Sequence, residues 1–221
     1  MLSGIFVLPG LAVGITGSSV WLAFLVAALC ILPAVLSKSE LGTAMPKSGG
    51  TYVYIERAFG PLFGTIAGIG LWLSLLLKSA FSLVGLSAYL YVVVNIDEAY
   101  TKAIALLALL LIFLLNVFGL KKVEKTQLII VSTSIVSLIV IIVLGLTSFD
   151  TKLTQPVFSD GTNGFIAGVA FLYISYAGVT KIAAVAGEII NPSKNLPLTM
   201  IISLFLITSI YCMVALALVG N

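Results

Sequence analysis

The feature that most constrains this chain is a series of charge-free apolar runs, each about as long as a membrane-spanning helix. The first 37 residues carry no charge, and similar runs recur at 103–120, 126–149, 161–180 and 195–221. A helix of roughly 20 apolar residues crosses the hydrocarbon core of a bilayer, which is about 30 Å thick. The pattern therefore predicts an integral membrane protein built from α-helices.

Composition argues against a water-soluble alternative. Charged residues make up 9% of the 221 residues, against about 25% in a typical soluble domain. A soluble fold of this sequence would lack the polar residues needed to cover its surface. The first apolar run is also a poor signal peptide, because it is rich in glycine and no basic residue precedes it.

The same composition argues against several functions. The chain has no histidine, and its apolar runs hold neither paired carboxylates nor a cysteine beside a base, so acid–base and metal chemistry have few residues to use. We predict no enzyme activity, no cofactor and no metal site. The net charge of +3 is spread over loops and does not indicate nucleic-acid binding.

We predict a single transmembrane domain over 1–221 with about seven spans. The spans lie near 1–17, 19–37, 61–94, 102–119, 124–148, 164–187 and 196–219. The stretch 58–96 is predicted to be one long tilted helix, because two spans and a turn would need more than about 40 residues.

The loop charges support this arrangement through the enrichment of basic residues on the cytoplasmic side. With a cytoplasmic amino terminus, the inner loops hold Lys38, Lys47, Arg57, Lys121, Lys122, Lys125 and Lys194. The outer loops hold only Lys102 and Lys152, while Lys78 and Lys181 fall inside predicted spans. We therefore predict a cytoplasmic amino terminus.

Two spans carry residues that disfavour a continuous helix. The first contains Pro9 within the glycine-rich stretch 3–10, and the sixth contains a glycine within 173–178. Proline removes an amide donor, and glycine costs about 1 kcal/mol in a helix interior. Interrupted helices in corresponding halves of a chain indicate a transporter site, where free amides hold a carboxylate and free carbonyls an ammonium group. For the pair Gly14 and Gly17, close helix packing is the favoured interpretation.

Three stretches match signature motifs of one family. They are SGIFVLPG at 3–10, ELGTAMPKSGGTYVY at 40–54 with FGP at 59–61, and the sixth-helix motif beginning YAG at 176 and ending NLP at 195–197. In this order and spacing the chain resembles the amino acid–polyamine–organocation (APC) permease superfamily along essentially its whole length. The resemblance implies a leucine-transporter-type fold of two inverted five-helix repeats. Residues 1–148 would form the first repeat and 164–221 the start of the second. The chain is then expected to be an interior fragment of a permease about twice as long, unable to transport alone.

The resemblance also implies where a substrate would bind. The candidates on the two interrupted helices are Ser3, Gly4, Ile5, Ile174, Ala177 and Gly178. Amides around Ser3 and Gly4 would take the carboxylate, and the carbonyls of Ile174 and Ala177 would take the amine. The third helix would line the pocket through Ser74, Lys78, Ser79 and Ser82.

One charge, Lys78, is predicted near the middle of the third span. A lysine facing lipid there costs about 3 kcal/mol, so it should face the bundle interior. Ser74, Lys78 and Ser82 repeat every four residues and share one helical face. The functional hypothesis is that Lys78 gains and loses a proton during transport, or stands where relatives hold a cation. The alternative is a static pairing with a carbonyl or an acid.

Further candidates for coupling or gating are Thr180, Lys181 and Glu188. Thr180, which Lys181 follows, lies where many relatives of the resembled family carry an acidic or large polar residue, which puts coupling through that acid in doubt. Tyr52 and Tyr54, in the second motif, are predicted to pack at the membrane interface rather than to bind anything.

These features predict a secondary carrier that moves amino acids or related small amines across the plasma membrane by alternating access. Its partners would be the lipid bilayer, the amino acid and, as a candidate coupling ion, a proton; exchange without a proton is the other mode. The alternative is a transport-inactive amino-acid sensor or partner subunit with the same fold. A channel is less favoured, because a midplane site closed from one side at a time suits alternating access better.

Overall fold

The computed structural model describes residues 2–94, 98–117, 120–147, 149 and 161–220, and it is helical almost throughout. No strand occurs in these described ranges, which confirms the predicted all-α fold class. The helices are α1 (Leu2–Thr16), α2 (Val20–Ala44), α3 (Thr51–Phe59), α4 (Pro61–Val94), α5 (Glu98–Val117), α6 (Leu120–Thr147), α7 (Gly161–Tyr176) and α8 (Pro192–Val219). Two 3₁₀ helices connect them, at Gly17–Ser19 and at Val179–Glu188. The longer one is called the 3₁₀ segment below.

Five described segments are long and apolar enough to cross a membrane. They are Leu8–Ala44, Pro61–Gly85, Gln127–Thr147, Gly161–Glu188 and Pro192–Val219, with a shorter apolar helix at Lys102–Leu114. The first of them joins most of α1 to all of α2, which the sequence predicted as two spans. Many leucine, isoleucine and phenylalanine side chains lie exposed on these helices. That much exposed apolar surface suits a bilayer and not water.

The helices lie near the predicted spans, but their bounds differ, and α5, α6 and α8 each begin four residues earlier than predicted. The third predicted span is one 34-residue helix, α4, as expected. However, α2 continues to Ala44, seven residues past the predicted end at 37, so Lys38 lies within the helix and not in a loop. The side chains of Lys121, Lys122 and Lys125, and the whole of Lys152, fall outside the described residues.

The chain forms two compact units. The first contains Met1–Ala67 and Val136–Asn221, and the second contains Gly68–Ile135. In the first unit α2 is central and packs against α7, the 3₁₀ segment and α8. Its buried face repeats every three or four residues, as expected for a helix enclosed on one side; the buried residues are Val20, Ala23, Phe24, Ala27, Ala28, Ile31, Val35, Ser39 and Gly42.

The second unit contains most of α4, all of α5 and most of α6. A groove of about 440 Å³ runs between α4 and α5. It is lined by Trp72, Leu75, Leu76, Ser79, Ala80, Leu83 and Leu109.

The first helix corrects a prediction. Instead of breaking within 3–10, α1 is α-helical from Leu2 to Thr16, with Pro9 inside it. A proline removes one hydrogen bond, but a complete break would leave several peptide groups unpaired in an apolar setting, which costs more. The chain turns after α1 instead, at Gly17, whose φ of 60° suits glycine.

The packing interpretation of the Gly14 and Gly17 pair is wrong for Gly14. A side chain placed on Gly14 would meet no atom within 4 Å. The close approach occurs one residue before Gly17, where Thr16 lies against Gly168 of α7. Gly17 therefore serves the turn, and Gly168 serves the packing.

Candidate substrate site

The predicted interruption of the sixth span is present. Helix α7 ends at Tyr176, Ala177 and Gly178 form a turn, and the chain resumes as the 3₁₀ segment at Val179. Gly178 has φ −69° and ψ −28°, which is the ordinary right-handed region. The break is therefore a change in hydrogen-bond pattern, from partners four residues apart to partners three apart, and not a left-handed turn.

The carbonyls predicted to take an amine already accept one hydrogen bond each. The Ala177 amide donates to the Ile174 carbonyl oxygen at 3.2 Å, and the Thr180 hydroxyl donates to the Ala177 carbonyl oxygen at 3.0 Å. A carbonyl oxygen has two lone pairs and accepts a second donor. Both carbonyls therefore retain capacity for an ammonium group, with their direction fixed by the first bond.

The last turn of α7 is anchored in the core of the first unit. The Tyr176 hydroxyl donates to the Phe24 carbonyl oxygen at 3.0 Å. The Tyr176 ring also lies 5.5 Å from that of Tyr211, which packs edge-on against the ring of Phe24 at 5.3 Å. The end of α7 is thus fixed to α2 and α8 immediately before the chain leaves helical geometry.

Ser175, beside this anchor, was not among the predicted site residues. It is 4% exposed, and its Oγ is a buried side-chain oxygen with no hydrogen-bond partner among the described residues. A buried hydroxyl without a partner costs about 1–3 kcal/mol. Its position two residues before the break was visible in the sequence, but its burial depends on helices distant in sequence.

Ser3, Gly4 and Ile5 lie in the first turn of α1, and their side chains fall outside the described residues. Because α1 is continuous through these residues, the break that was expected to free their amides is absent.

The residues predicted on the third span lie in the second unit and divide between two faces of α4. Ser79 lines the groove toward α5, and its hydroxyl donates to the Leu75 carbonyl oxygen at 2.9 Å. Ser74, Lys78 and Ser82 are exposed and are not among the groove residues. The sequence grouped all four in one pocket, whereas the helical repeat separates Ser79 from the other three.

The remaining coupling candidates lie on the 3₁₀ segment. Thr180 is half-buried and bonded to Ala177 as described, while Lys181 and Glu188 are exposed. The backbone amide of Lys181 donates to the Gly178 carbonyl oxygen at 3.2 Å. Thr180 thus contacts the break through its side chain, and Lys181 contacts it through its backbone amide.

Tyr54 corrects another prediction. It is 5% exposed, and its hydroxyl donates to the Ala183 carbonyl oxygen of the 3₁₀ segment at 3.3 Å. The sequence placed it with Tyr52 as an interface residue that binds nothing. Because its partner is 129 residues away, no local pattern reveals this contact.

The fold is that of a multi-pass helical membrane protein. One of its apolar segments, Gly161–Glu188, contains a break between α7 and the 3₁₀ segment. Residues 1–220 match the family described as Amino acid permease, and the chain belongs to that family. Its members are transporters and not enzymes.

The chain is similar to several proteins named as amino acid transporters, exchangers or permeases. It is 28% identical to the vacuolar "Cationic amino acid transporter 8" of Arabidopsis thaliana over 98% of the chain and 39% of that protein. It is 28% identical to the "Serine/threonine exchanger SteT" of Bacillus subtilis over 98% of the chain and 50% of that protein. It is 30% identical to the "Branched-chain amino acid permease BcaP" of Lactococcus lactis over 99% of the chain and 52% of that protein. The chain thus spans about half the length of the curated relatives it matches, or less.

Proposed function

We propose that this chain is part of a secondary carrier that moves amino acids or related small amines across a membrane by alternating access. The observation that carries the proposal is the stop of α7 at Tyr176 and its resumption at Val179, inside a segment apolar enough to cross a bilayer. Exposed peptide groups at membrane depth are tolerated where they line a cavity or are buried in protein. The relatives' names describe amino acid transporters, exchangers and permeases, which supports the same substrate class here.

The proposed site suits a zwitterion. As the resemblance to amino acid permeases implies, the backbone around Ser3, Gly4 and Ile5 would take the carboxylate. The end of α7, at Ile174 and Ala177, presents carbonyls with partial negative charge, which favours an ammonium group. A free α-amino acid carries both groups on the same carbon atom.

The proposal also covers the residues for coupling and gating, the membrane and the orientation of the chain. Lys78, Thr180, Lys181 and Glu188 are the candidates for coupling or gating, with a proton or exchange as the driving mode. The carrier would lie in the plasma membrane with a cytoplasmic amino terminus. Some relatives are named vacuolar or chloroplastic, so the membrane is tested by locating the tagged protein in its own cell.

The experiment is uptake of labelled amino acids by the full-length protein in proteoliposomes, with and without a pH gradient. Saturable uptake of at least one amino acid supports the proposal. No uptake, together with preserved amino-acid binding, favours the sensor alternative. We expect the 221-residue chain alone to show no saturable uptake, and transport by it would contradict that part.

A matched pair of variants tests the site itself. In Thr180→Val the Ala177 carbonyl loses its hydrogen-bond donor. We expect the KM for amino-acid uptake to rise about fivefold, which corresponds to the free energy of one hydrogen bond. Thr43→Val is the control, because the Thr43 hydroxyl makes the same kind of bond to a carbonyl three residues earlier, that of Glu40, at 2.8 Å. Equal kinetics in both variants would remove Ala177 from the proposed site.

A further inference from the structure

The loop between α2 and α3 contacts the 3₁₀ segment through backbone groups. The Gly49 amide donates to the Ala184 carbonyl oxygen at 3.0 Å. A side chain on Gly50 would lie 3.0 Å from the Ala184 Cα, and one on Gly187 would lie 3.0 Å from the Ser48 amide nitrogen. Glycine at these positions therefore lets two backbones approach directly.

Tyr54 adds a side-chain bond to the neighbouring carbonyl. It is the buried residue of α3, and its hydroxyl bonds Ala183, the residue before Ala184. Gly42 of α2 makes room for it, because a side chain there would lie 3.2 Å from the Tyr54 hydroxyl oxygen. Two consecutive carbonyls of the 3₁₀ segment thus accept hydrogen bonds from outside that segment.

The 3₁₀ segment is poorly suited to hold its own shape. A 3₁₀ helix has weaker hydrogen-bond geometry than an α-helix and is rarely longer than three or four residues. This 10-residue segment consists of two 3₁₀ stretches joined by a kink at Val185, with φ −107° and ψ 20°, directly after the two bonded carbonyls. External donors at Ala183 and Ala184 therefore fix the segment where it is weakest.

We propose that residues 45–54, here called the clasp, hold the 3₁₀ segment in place, and that Tyr54 is a positioning residue for the break at Ala177 and Gly178. The clasp acts through the backbone that links Ala183 to the break, where the Lys181 amide bonds the Gly178 carbonyl. The positioning role rests on the proposed function, because it assumes that the break holds the substrate. The mechanical role of the clasp does not.

The first test is amide hydrogen exchange of residues 179–188 in the 221-residue chain in lipid nanodiscs without substrate. Tyr54→Phe removes one buried hydrogen bond, and we expect exchange there to accelerate about fivefold. Tyr52→Phe is the matched control, since the Tyr52 hydroxyl interacts with Glu56 within α3. Unchanged exchange in Tyr54→Phe, or equal acceleration in both variants, would overturn the clasp.

A second pair separates contact from backbone strain. Gly50 and Gly60 both have positive φ, 56° and 91°, but a side chain on Gly60 meets nothing within 4 Å. Gly50→Ala should accelerate exchange of the 3₁₀ segment, and Gly60→Ala should leave that exchange unchanged. Equal effects would mean that strain in the turn, and not contact with Ala184, controls the segment.

Uptake by the full-length protein then tests the positioning role. If Tyr54 positions the break, Tyr54→Phe raises KM several-fold while Tyr52→Phe leaves it unchanged. Faster exchange with unchanged KM would overturn the positioning role. If the unmodified protein takes up no amino acid while Tyr54→Phe still accelerates exchange, the proposed function fails and the clasp stands.

Discussion

The Tyr176 hydroxyl donates to the Phe24 carbonyl oxygen at 3.0 Å, so the last residue of α7 is bonded to the first third of α2. Tyr176 is completely buried, and the polypeptide leaves α-helical geometry one residue later. A helix that stops in an apolar environment needs its last turn held by other elements, because its last carbonyls have no partner four residues further along the helix. This bond therefore fixes the position at which α7 ends.

Removing that bond should destabilise the first unit. Tyr176→Phe keeps the ring and deletes the hydroxyl, and we expect a loss of about 1 kcal/mol in the free energy of unfolding. Tyr173→Phe, in the same helix, is the control, because Tyr173 is 38% exposed. Thermal unfolding of both variants in detergent measures the difference. A Tyr173→Phe loss as large as that of Tyr176→Phe would contradict the anchoring role.

The contact between Gly168 and Thr16 should tolerate no extra methyl group. In Gly168→Ala the new Cβ would clash with Thr16 Cγ2. Thr16 cannot rotate away without losing the bond from its hydroxyl to the Ala12 carbonyl oxygen, at 2.9 Å. We expect a loss of about 1–3 kcal/mol, the usual cost of overpacking.

Gly14→Ala is the matched substitution on α1. Its Cβ meets nothing within 4 Å, so the variant should be neutral or more stable by up to about 1 kcal/mol, the helix preference of alanine over glycine. Thermal unfolding of the two variants distinguishes them. If Gly168→Ala is as stable as Gly14→Ala, then α1 and α7 are not closely packed at Thr16.

Replacing Ser175 by alanine should stabilise the folded protein. Its buried hydroxyl has no partner among the described residues, so Ser175→Ala should raise the free energy of unfolding by about 1 kcal/mol. Ser19→Ala is the opposite case, since the buried Ser19 hydroxyl donates to the Thr16 carbonyl oxygen at 2.8 Å, and it should lose a similar amount. A loss of stability in Ser175→Ala would show that the hydroxyl has a partner in the folded protein.

The sequence located the long helices because each is an apolar run bounded by charge, glycine or proline, whereas α3 carries Glu56 and Arg57 and was not predicted as a span. It also predicted the break after Tyr176, because the residues that form the break, Ala177 and Gly178, are adjacent in the sequence. It failed at Pro9, because the missing hydrogen bond of one proline is a smaller cost than a fully broken helix in an apolar setting.

The contacts of Tyr54 and the burial of Ser175 were out of reach for a different reason. Both depend on which helices pack together, and the Tyr54 bond spans 129 residues. Neither residue differs in type or spacing from neighbours that are exposed or locally bonded, such as Tyr52. The local sequence pattern therefore predicts where the helices lie, whereas tertiary packing determines which polar side chains are buried or bonded.

The bond from Tyr54 to Ala183 should survive to high pH. Burial raises the pKa of Tyr54 above its ordinary value of 10.0. The hydroxyl therefore stays protonated and donating below pH 10, and its contribution to stability is lost only as pH rises through the raised pKa. The stability difference between the unmodified chain and Tyr54→Phe should be constant from pH 6 to about pH 9 and shrink in stronger alkali. A difference that disappears near neutral pH would exclude the hydroxyl as its source.

The last prediction concerns Lys78, which lies near the middle of the 34-residue helix α4. A lysine at that depth costs about 3 kcal/mol if it faces lipid, so its retention calls for a use. Lys78→Met removes the charge, keeps a long side chain and should insert into the membrane more easily, so a loss of function would not come from failed insertion. We expect this variant of the full-length protein to lose uptake or its dependence on a pH gradient. Lys102→Met, at an exposed lysine near the start of α5, should retain both. If Lys78→Met takes up amino acids as the unmodified protein does at every pH, the functional hypothesis is wrong and the lysine has only a structural pairing.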